Sequence, residues 1–281
     1  MASNTARPIR RFMAGRVVAA MVFAGATLAG CSGSTPRQVH AADRTSPEVD
    51  LIRLSISNAY LIKSGRPVIV DAGGPTDTRA LLAALHTEGV EPRAIALIIL
   101  THAHGDHGGG AAALRAATGA NIVLGAADVP MAASGRDDVL KPTGLEAELV
   151  SRFIDRRFPP FRPDVQVTDR LDLRPYGLAG HVELTPGHTL GSLSVLLDDG
   201  QAFVGDILRG GYLGGAILPK VPHTHYFMAD ERENRRSLRH LLDAGVTTFY
   251  VGHGGPLTRA DILRHAAELG LASGPPPDHS R

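Results

Sequence analysis

Residues 101–110, THAHGDHGGG, contain three histidines and an aspartate within six consecutive positions, between an apolar segment and a run of glycines. His102 and His104 are two residues apart, so on an extended backbone their side chains project to the same side and can share one ion. Asp106 and His107 follow where a helix is predicted to begin, and a turn there would direct them to a point beside that ion. Imidazole and carboxylate groups are zinc ligands. The segment therefore predicts a site for two adjacent cations.

Three later segments follow a common pattern, in which an apolar stretch ends in a turn of small residues that presents one possible ligand. These segments are ELTPGHTLGS with His188, AFVGDIL with Asp206 and FYVGHGGP with His253. A chain of this composition would contain HxHxDH by chance roughly two times in a thousand. An ordinary polar loop is therefore a poor explanation of residues 102–107.

The elements that would position these side chains are short apolar strands alternating with alanine-rich helices, beginning near Leu51. AIALIIL predicts a buried strand that leads into THAHGDH, and helices are predicted at 78–87, 230–243 and 259–269. Residues 134–163, with three phenylalanines, are interpreted as an insertion near the mouth of the site. The glycine-containing segment that follows Asp206 is predicted to be a flexible loop that lines the substrate pocket, with Tyr212 as donor to a developing oxyanion.

HxHxDH followed in order by a histidine, an aspartate and a histidine resembles the metallo-β-lactamase superfamily of hydrolases, from about Asn58 to Pro256. The resemblance implies an α/β fold, a four-layer αββα sandwich of two face-to-face sheets with helices outside. It also implies roles for individual residues, including Asp106 as a proton relay and Asp71 as a support for the ligand loops. The implied first metal is held by His102, His104 and His188, the second by Asp106, His107 and His253, and Asp206 bridges both.

The resemblance implies two zinc ions, although iron or manganese would also suit these ligands. Two cations about 3.5–4 Å apart lower the pKa of a shared water towards 7, so hydroxide is available at neutral pH. The expected activity is hydrolysis of an ester, lactone, thioester or amide bond in a small molecule. Zinc β-lactamases carry a cysteine or serine where this chain has Asp206, and glyoxalase II enzymes add a helical domain after the last histidine.

Lactonases that open acyl-homoserine lactones share the ligand set and the compact length. Two alternatives stay open besides a β-lactamase. One is a single-iron oxygenase of the persulfide dioxygenase type that uses only His102, His188 and Asp206. The other is a non-catalytic binding module, which the intact ligand set disfavours.

The N-terminal residues 1–30 are predicted to be a signal peptide, because a basic front precedes the apolar run from Val17 to Leu28. LAGC, ending at Cys31, resembles the lipobox of bacterial lipoproteins, with an ordinary secretory signal as the alternative. The expected organisation is a signal peptide (1–30), a flexible tether (31–50), the hydrolase domain (51–272) and a disordered tail (273–281). The protein is expected to be exported and anchored to a membrane through lipid on Cys31.

The charge of the mature chain gives no support to nucleic-acid binding. Residues 1–30 hold four arginines and no acidic residues, so 25 basic and 28 acidic residues remain, a net charge of −3 with neutral histidines. Nucleic-acid binding depends mainly on phosphate neutralisation by Lys and Arg. The expected partner is a small-molecule substrate.

Overall fold

A computed structural model describes residues 46–271 of the chain. The predicted signal peptide, Cys31 and the predicted tail lie outside the described residues. The first strand begins at Glu48, so the last three residues of the predicted tether, 48–50, belong to the domain instead. Within residues 46–271, no helix has both the length and the apolar character needed to cross a bilayer.

The first sheet contains six strands in sequential order, with two antiparallel pairings followed by three parallel ones. Parallel strands are joined by crossover helices, which leaves the carboxyl ends of neighbouring strands at one edge. The strands are β1 (Glu48–Arg53), β2 (Asn58–Lys63), β3 (Val68–Val70), β4 (Leu97–Ile99), β5 (Asn121–Gly125) and β6 (Val165–Val167).

The second sheet also contains six strands. Its strands are β7 (Arg170–Asp172), β8 (Gly180–Leu184), β9 (Leu193–Leu197), β10 (Gln201–Gly205), β13 (Thr248–Val251) and β14 (Leu257–Thr258). Their spatial order is β14-β13-β10-β9-β8-β7, and only β10 and β13 pair in parallel. A separate hairpin is formed by β11 (Arg209–Tyr212) and β12 (Ile217–His223). The segment predicted to be a flexible loop is therefore partly strand, paired by backbone hydrogen bonds.

The described helices follow the predicted pattern, with shifted boundaries in several places. The first helix, α1 (Thr78–Thr87), coincides with the predicted range 78–87. Asp230 caps α6 (Glu231–Asp243) by accepting hydrogen bonds from the backbone N–H groups of Arg232 and Glu233. The last helix is shorter than predicted. The helices are α1 (Thr78–Thr87), α2 (Gly105–Gly108), α3 (Ala111–Thr118), α4 (Val129–Ser134), α5 (Leu145–Ser151), α6 (Glu231–Asp243) and α7 (Arg259–Arg264).

Three hydrophobic cores separate four layers. Side chains along β4 alternate between two of these cores. Leu97 and Ile99 belong to the core between the two sheets, whereas Ile98 belongs to the core between the first sheet and its helices. The outer face of the first sheet packs on α1 and α3, and the outer face of the second packs on α6 and α7. The αββα sandwich predicted from the sequence is confirmed.

Candidate metal centre

The predicted ligands all follow the carboxyl ends of strands. Residues 102–107 come after β4, His188 after β8, Asp206 after β10 and His253 after β13. The backbone N–H of Leu193 at the start of β9 donates to the carbonyl of Thr101, 2.7 Å away, which ties the two sheets together beside the ligand loops. Side chains that are far apart in sequence therefore meet at one edge of the sandwich.

The first predicted triad is compact and buried. His102, His104 and His188 offer ligand nitrogens that lie within 4.8 Å of one another, and Nδ1 of His104 is 2.9 Å from Nε2 of His188. Ligands of one tetrahedral zinc ion, bonded at about 2.0–2.1 Å, are about 3.3 Å apart. The triad has dimensions that suit a single cation.

The second triad lies beside the first. Nε2 of His253 is 3.3 Å from Oδ2 of Asp106 and 3.5 Å from Nε2 of His107. The side chain of Asp106 is 32% exposed, whereas that of His107 is fully buried. Asp106 is therefore the member of this triad most accessible to a substrate.

Asp206 lies between the two triads, as the bridging role requires. Its side chain is only 2% exposed, so an uncompensated charge there would be costly. Oδ2 of Asp206 lies 3.9 Å from Nε2 of His102, 3.6 Å from that of His188, 3.5 Å from that of His107 and 3.3 Å from that of His253.

Two buried polar atoms in this cluster have no hydrogen-bond partner among the described residues, namely Nε2 of His102 and Oδ1 of Asp206. Buried polar atoms are nearly always paired, so each such exception requires an explanation. Both atoms belong to the predicted ligand set, and both belong to groups that bind metals through a lone pair. The residues therefore fit a metal centre.

The pKa shifts divide the imidazoles into two groups. Burial lowers the pKa of His102 and of His188 well below the ordinary value, and neighbouring imidazoles lower it further. Burial has the same tendency at His107 and His253, but attraction to Asp206 and Asp106 outweighs it. The pKa of His107 is raised well above its ordinary value, and that of His253 is raised to about 10.

These shifts bear on metal loading. Neutral imidazoles at His102 and His188 keep a lone pair available for a cation at neutral pH. In the metal-free protein, His107 and His253 hold protons that a cation must displace.

A group of carboxylates outside the triads supports the ligand loops. Asp71, at the end of β3, accepts hydrogen bonds from Nδ1 of His107 and from the backbone N–H of Thr101, both at 2.8 Å. The first contact places the proton on Nδ1 of His107 and leaves Nε2 for the metal. The support role implied for Asp71 therefore agrees with its contacts.

Three supporting aspartates were not identified from the sequence. Asp128 accepts from the backbone N–H of Ala103 at 3.0 Å and from the hydroxyl of Thr189 at 2.8 Å, so it joins the loops that carry His102 and His188. Asp137 accepts from the backbone N–H of Gly105 at 2.8 Å, and Asp138 contacts Nε2 of His104 at 3.0 Å. Asp137 and Asp138 belong to residues 134–163, so the predicted insertion contacts the ligand loop directly.

Glycine at position 252 is required by the packing of the centre. A Cβ atom there would collide with Oδ1 of Asp206 and with the ring of His107. The backbone N–H of Gly252 also donates to the carbonyl of Gly205, next to Asp206, at 2.9 Å. The small residue before His253 therefore lets the strand end approach the bridging carboxylate closely.

Tyr212 is the last residue of strand β11. Its ring packs against His223, with centroids 4.6 Å apart, and lies 5.1 Å from the guanidinium carbon of Arg209. Its role as an oxyanion donor stays a prediction. By contrast, His225, which belongs to the segment predicted to line the pocket, is buried with Nε2 3.1 Å from Oδ2 of Asp206.

A groove of about 450 Å³ adjoins the second triad. The triad and the groove share a wall, because Nδ1 of His253 donates to the carbonyl of Ile56 at 3.1 Å and the hydroxyl of Ser57 donates to the carbonyl of Asp106. The side chains of Ile56 and Leu213 are 61% and 71% exposed. Residues of the groove therefore contact the second triad, and the lining of the groove includes Arg53, Leu54, Ile56, Ser57, Leu213 and Ala216.

Known proteins with similar sequences include hydroxyacylglutathione hydrolases. Hydroxyacylglutathione hydrolase of Anaeromyxobacter dehalogenans is 34% identical over 151 residues, which are 53% of this chain and 45% of that protein. The corresponding enzyme of Cereibacter sphaeroides is 31% identical over 159 residues, 55% of this chain and 49% of that protein. The chain thus spans less than half the length of these two curated relatives.

Solved structures show the same fold. The protein TTHA1623 in a di-iron-bound form aligns with a TM-score of 0.55 and 30% identity over 74% of this chain and 92% of that one. BLEG-1 B3 metallo-beta-lactamase aligns with a TM-score of 0.59 and 23% identity over 80% of this chain and all of that one. The sequence pattern of the Metallo-beta-lactamase superfamily matches residues 52–253. With its fold and its His/Asp cluster, the chain belongs to the metallo-β-lactamase superfamily.

Proposed function

We propose that the protein hydrolyses an ester, lactone, thioester or amide bond of a small molecule with a pair of zinc ions held by the seven predicted ligands. The observation that carries the proposal is the convergence of two triads on Asp206, together with the unpartnered Nε2 of His102 and Oδ1 of Asp206. Bound cations would give partners to these two atoms, and buried polar atoms without partners destabilise a fold.

The chain's own residues have distinct tasks in this proposal. When bound, two zinc ions would supply a nucleophilic hydroxide at neutral pH and would polarise the scissile carbonyl. His102, His104 and His188 would hold one cation, and His107 and His253 would hold the other with Asp106. The carboxylate of Asp106 is more exposed than that of Asp206. It can therefore receive a proton from the attacking water or pass one to the leaving group.

The substrate class is supported by the relatives and by the groove. The two relatives described above are hydroxyacylglutathione hydrolases, which favours an acyl compound as substrate. The groove beside the second triad offers apolar contacts at Ile56 and Leu213 for the part of the substrate that does not react. Pockets of this type fix a ligand through apolar walls and a few polar groups.

The metal content of the purified protein tests the proposal. We expect two zinc ions per chain, and hydrolysis of at least one compound in a panel of lactones, thioesters, esters, amides, phosphodiesters and β-lactams. Chelation should abolish the activity and zinc should restore it. Iron or manganese in place of zinc would change the metal but not the hydrolytic proposal, as the di-iron-bound form of TTHA1623 illustrates.

Other outcomes would contradict the proposal. One iron per chain with consumption of oxygen would indicate the oxygenase alternative, which needs only His102, His188 and Asp206. A protein without divalent cations or without hydrolytic activity would indicate a binding module. His102→Ala should remove the activity, whereas the same change at the exposed His86 should not.

Tyr212 can be tested in the same assay. If its hydroxyl stabilises an oxyanion, Tyr212→Phe lowers kcat by about 100- to 1000-fold and leaves the metal content unchanged. An unchanged kcat would remove Tyr212 from the mechanism.

We also propose that the mature protein is exported and anchored to a membrane through lipid on Cys31. The proposal is supported by LAGC after the apolar run. Stable anchoring by acyl chains generally needs more than one chain. Mass spectrometry of the N-terminal peptide should show acylation of Cys31 and loss of residues 1–30. Cys31→Ser should release the protein from membranes, whereas Ser32→Ala should not, and an unmodified Cys31 would contradict the anchor.

A further inference from the structure

His225 is a buried imidazole at the centre that does not belong to the seven predicted ligands. It follows strand β12, and its side chain is 7% exposed. Its Nε2 lies 3.1 Å from Oδ2 of Asp206, closer than any of the four ligand nitrogens described above. Together with His188 and Asp206 it forms a group whose three ligand atoms lie within 4.8 Å of one another.

The ring of His225 lies between the two triads. It meets the ring of His188 nearly at a right angle, with centroids 4.6 Å apart, and it is stacked on the ring of His253, with centroids 5.4 Å apart. His188 belongs to the first triad and His253 to the second. His225 therefore contacts a ligand of each triad.

A backbone carbonyl orients His225 as it orients a ligand. The carbonyl oxygen of Phe227 accepts from Nδ1 of His188 at 2.8 Å and lies 3.4 Å from Nδ1 of His225. A carbonyl has two lone pairs, so it can accept from both rings. Metal-ligating histidines generally donate their other ring N–H in this way, which leaves Nε2 free for the cation.

The surroundings of Asp206 favour coordination over hydrogen bonding. With His225 included, five imidazole nitrogens lie between 3.1 and 3.9 Å from Oδ2 of Asp206. One carboxylate oxygen has about two lone-pair sites, so it cannot accept hydrogen bonds from all five rings. Bound cations can accept a lone pair from the oxygen and from each of these nitrogens.

We propose that His225 is a further metal ligand of this centre, bound through Nε2 to the cation that it shares with His188 and Asp206. The proposal rests on the proposed metal centre, and it adds a donor that the superfamily pattern in the sequence does not contain. A competing arrangement is defined by the backbone N–H of Phe227, which lies 3.3 Å from Nδ1 of His225. If that N–H donates, Nε2 holds the proton and His225 is only a hydrogen-bond donor to Asp206.

Metal binding to variants of the full chain separates the two arrangements. His225→Ala removes both functions, whereas His225→Gln keeps an N–H donor but lacks an imidazole nitrogen. His223→Ala is the matched control, because His223 lies two residues earlier and its ring packs on Tyr212. Zinc affinity is measured by competition with a chromogenic chelator, and cobalt-loaded samples are compared by their visible absorption. Circular dichroism shows whether each variant is folded.

Both His225 variants should bind one cation at least ~10-fold more weakly. Removing a residue that only supports a metal ligand already lowers metal affinity by about that factor. Their cobalt spectra should change, while His223→Ala should match the unaltered protein. X-ray absorption of the zinc-loaded unaltered protein should show one more imidazole per pair of cations than the seven predicted ligands supply. This last measurement does not depend on how the variants fold.

Two results would overturn the proposal without affecting the proposed function. One is an imidazole count that the seven predicted ligands already explain, and the other is a His225→Gln protein with unaltered affinity and spectrum. If the unaltered protein binds no divalent cation, the proposed function and this inference both fail.

Discussion

The ligand loop at 101–107 and the β11–β12 hairpin both lie at the edge of the sandwich that carries the centre, but they are built differently. The loop is largely buried, and aspartates outside the triads accept hydrogen bonds from its backbone at Thr101, Ala103 and Gly105. The hairpin instead exposes Leu213 and Leu218, which are 71% and 59% accessible. Both leucines also have a positive φ, a conformation that ordinary side chains rarely adopt.

The difference separates two tasks. Metal ligands must be held to within a fraction of an ångström, which requires rotamers fixed by packing and by further hydrogen bonds. Substrate contacts tolerate exposure and variation, and they commonly lie on segments that a rigid scaffold positions. We therefore expect changes around the loop to affect the metals, and changes on the hairpin to affect the choice of substrate.

The largest effect is expected from Gly252→Ala. The added methyl group collides with Oδ1 of Asp206 and with the ring of His107, so the bridging carboxylate must move. Displacement of reacting groups by about 1 Å costs on the order of 10²-fold in rate. Elemental analysis should show loss of metal together with a fall in kcat of that size.

Gly65→Ala is the matched control for this change. A Cβ atom at Gly65 meets no other atom within 4 Å, so the control should keep its metals and its rate. If Gly252→Ala also keeps its metals and its rate, the ligand loop is less rigid than its difference from the hairpin implies.

A smaller effect is expected from Asp71→Asn. Asparagine tolerates the positive φ of 64° at this position, so the substitution changes the charge without adding backbone strain. The amide holds Nδ1–H of His107 less strongly than the carboxylate does. Affinity for the cation bound by His107 should fall about 10- to 100-fold, measured by chelator competition.

Asp172→Asn is a suitable control for the second prediction, since Asp172 is exposed on β7 and pairs with Arg174, two residues away. Equal metal affinities in the two variants would show that Asp71 does not support the centre.

The ligand candidates could be predicted from the sequence because each one is marked locally. His188, Asp206 and His253 each follow an apolar strand and a small-residue turn, and the structure places them together. The same segments carry the resemblance that predicted the αββα sandwich, and the two packed sheets with helices outside agree with it.

The remaining features depend on distant parts of the chain. Asp128 and His225 have no local signature, because their roles arise only when β5 and the segment after β12 meet the ligand loops. The β11–β12 hairpin was predicted to be a loop, since its glycines and prolines hide the strand pattern. Such residues become recognisable only through tertiary contacts.

The smallest effect is expected from Leu213→Asn, which changes the hairpin alone. Asparagine tolerates the φ of 50° at this position, so the variant loses an apolar contact in the groove without added strain. One lost apolar contact in a binding pocket is worth about 1 kcal/mol, or about 5-fold. KM for substrates with a long apolar group should rise by about that factor, while kcat and metal content stay the same. Leu263→Asn, on the exposed face of α7, should change neither constant. A loss of metal from Leu213→Asn would instead make the hairpin part of the metal-binding structure, and the division between the two regions would be wrong.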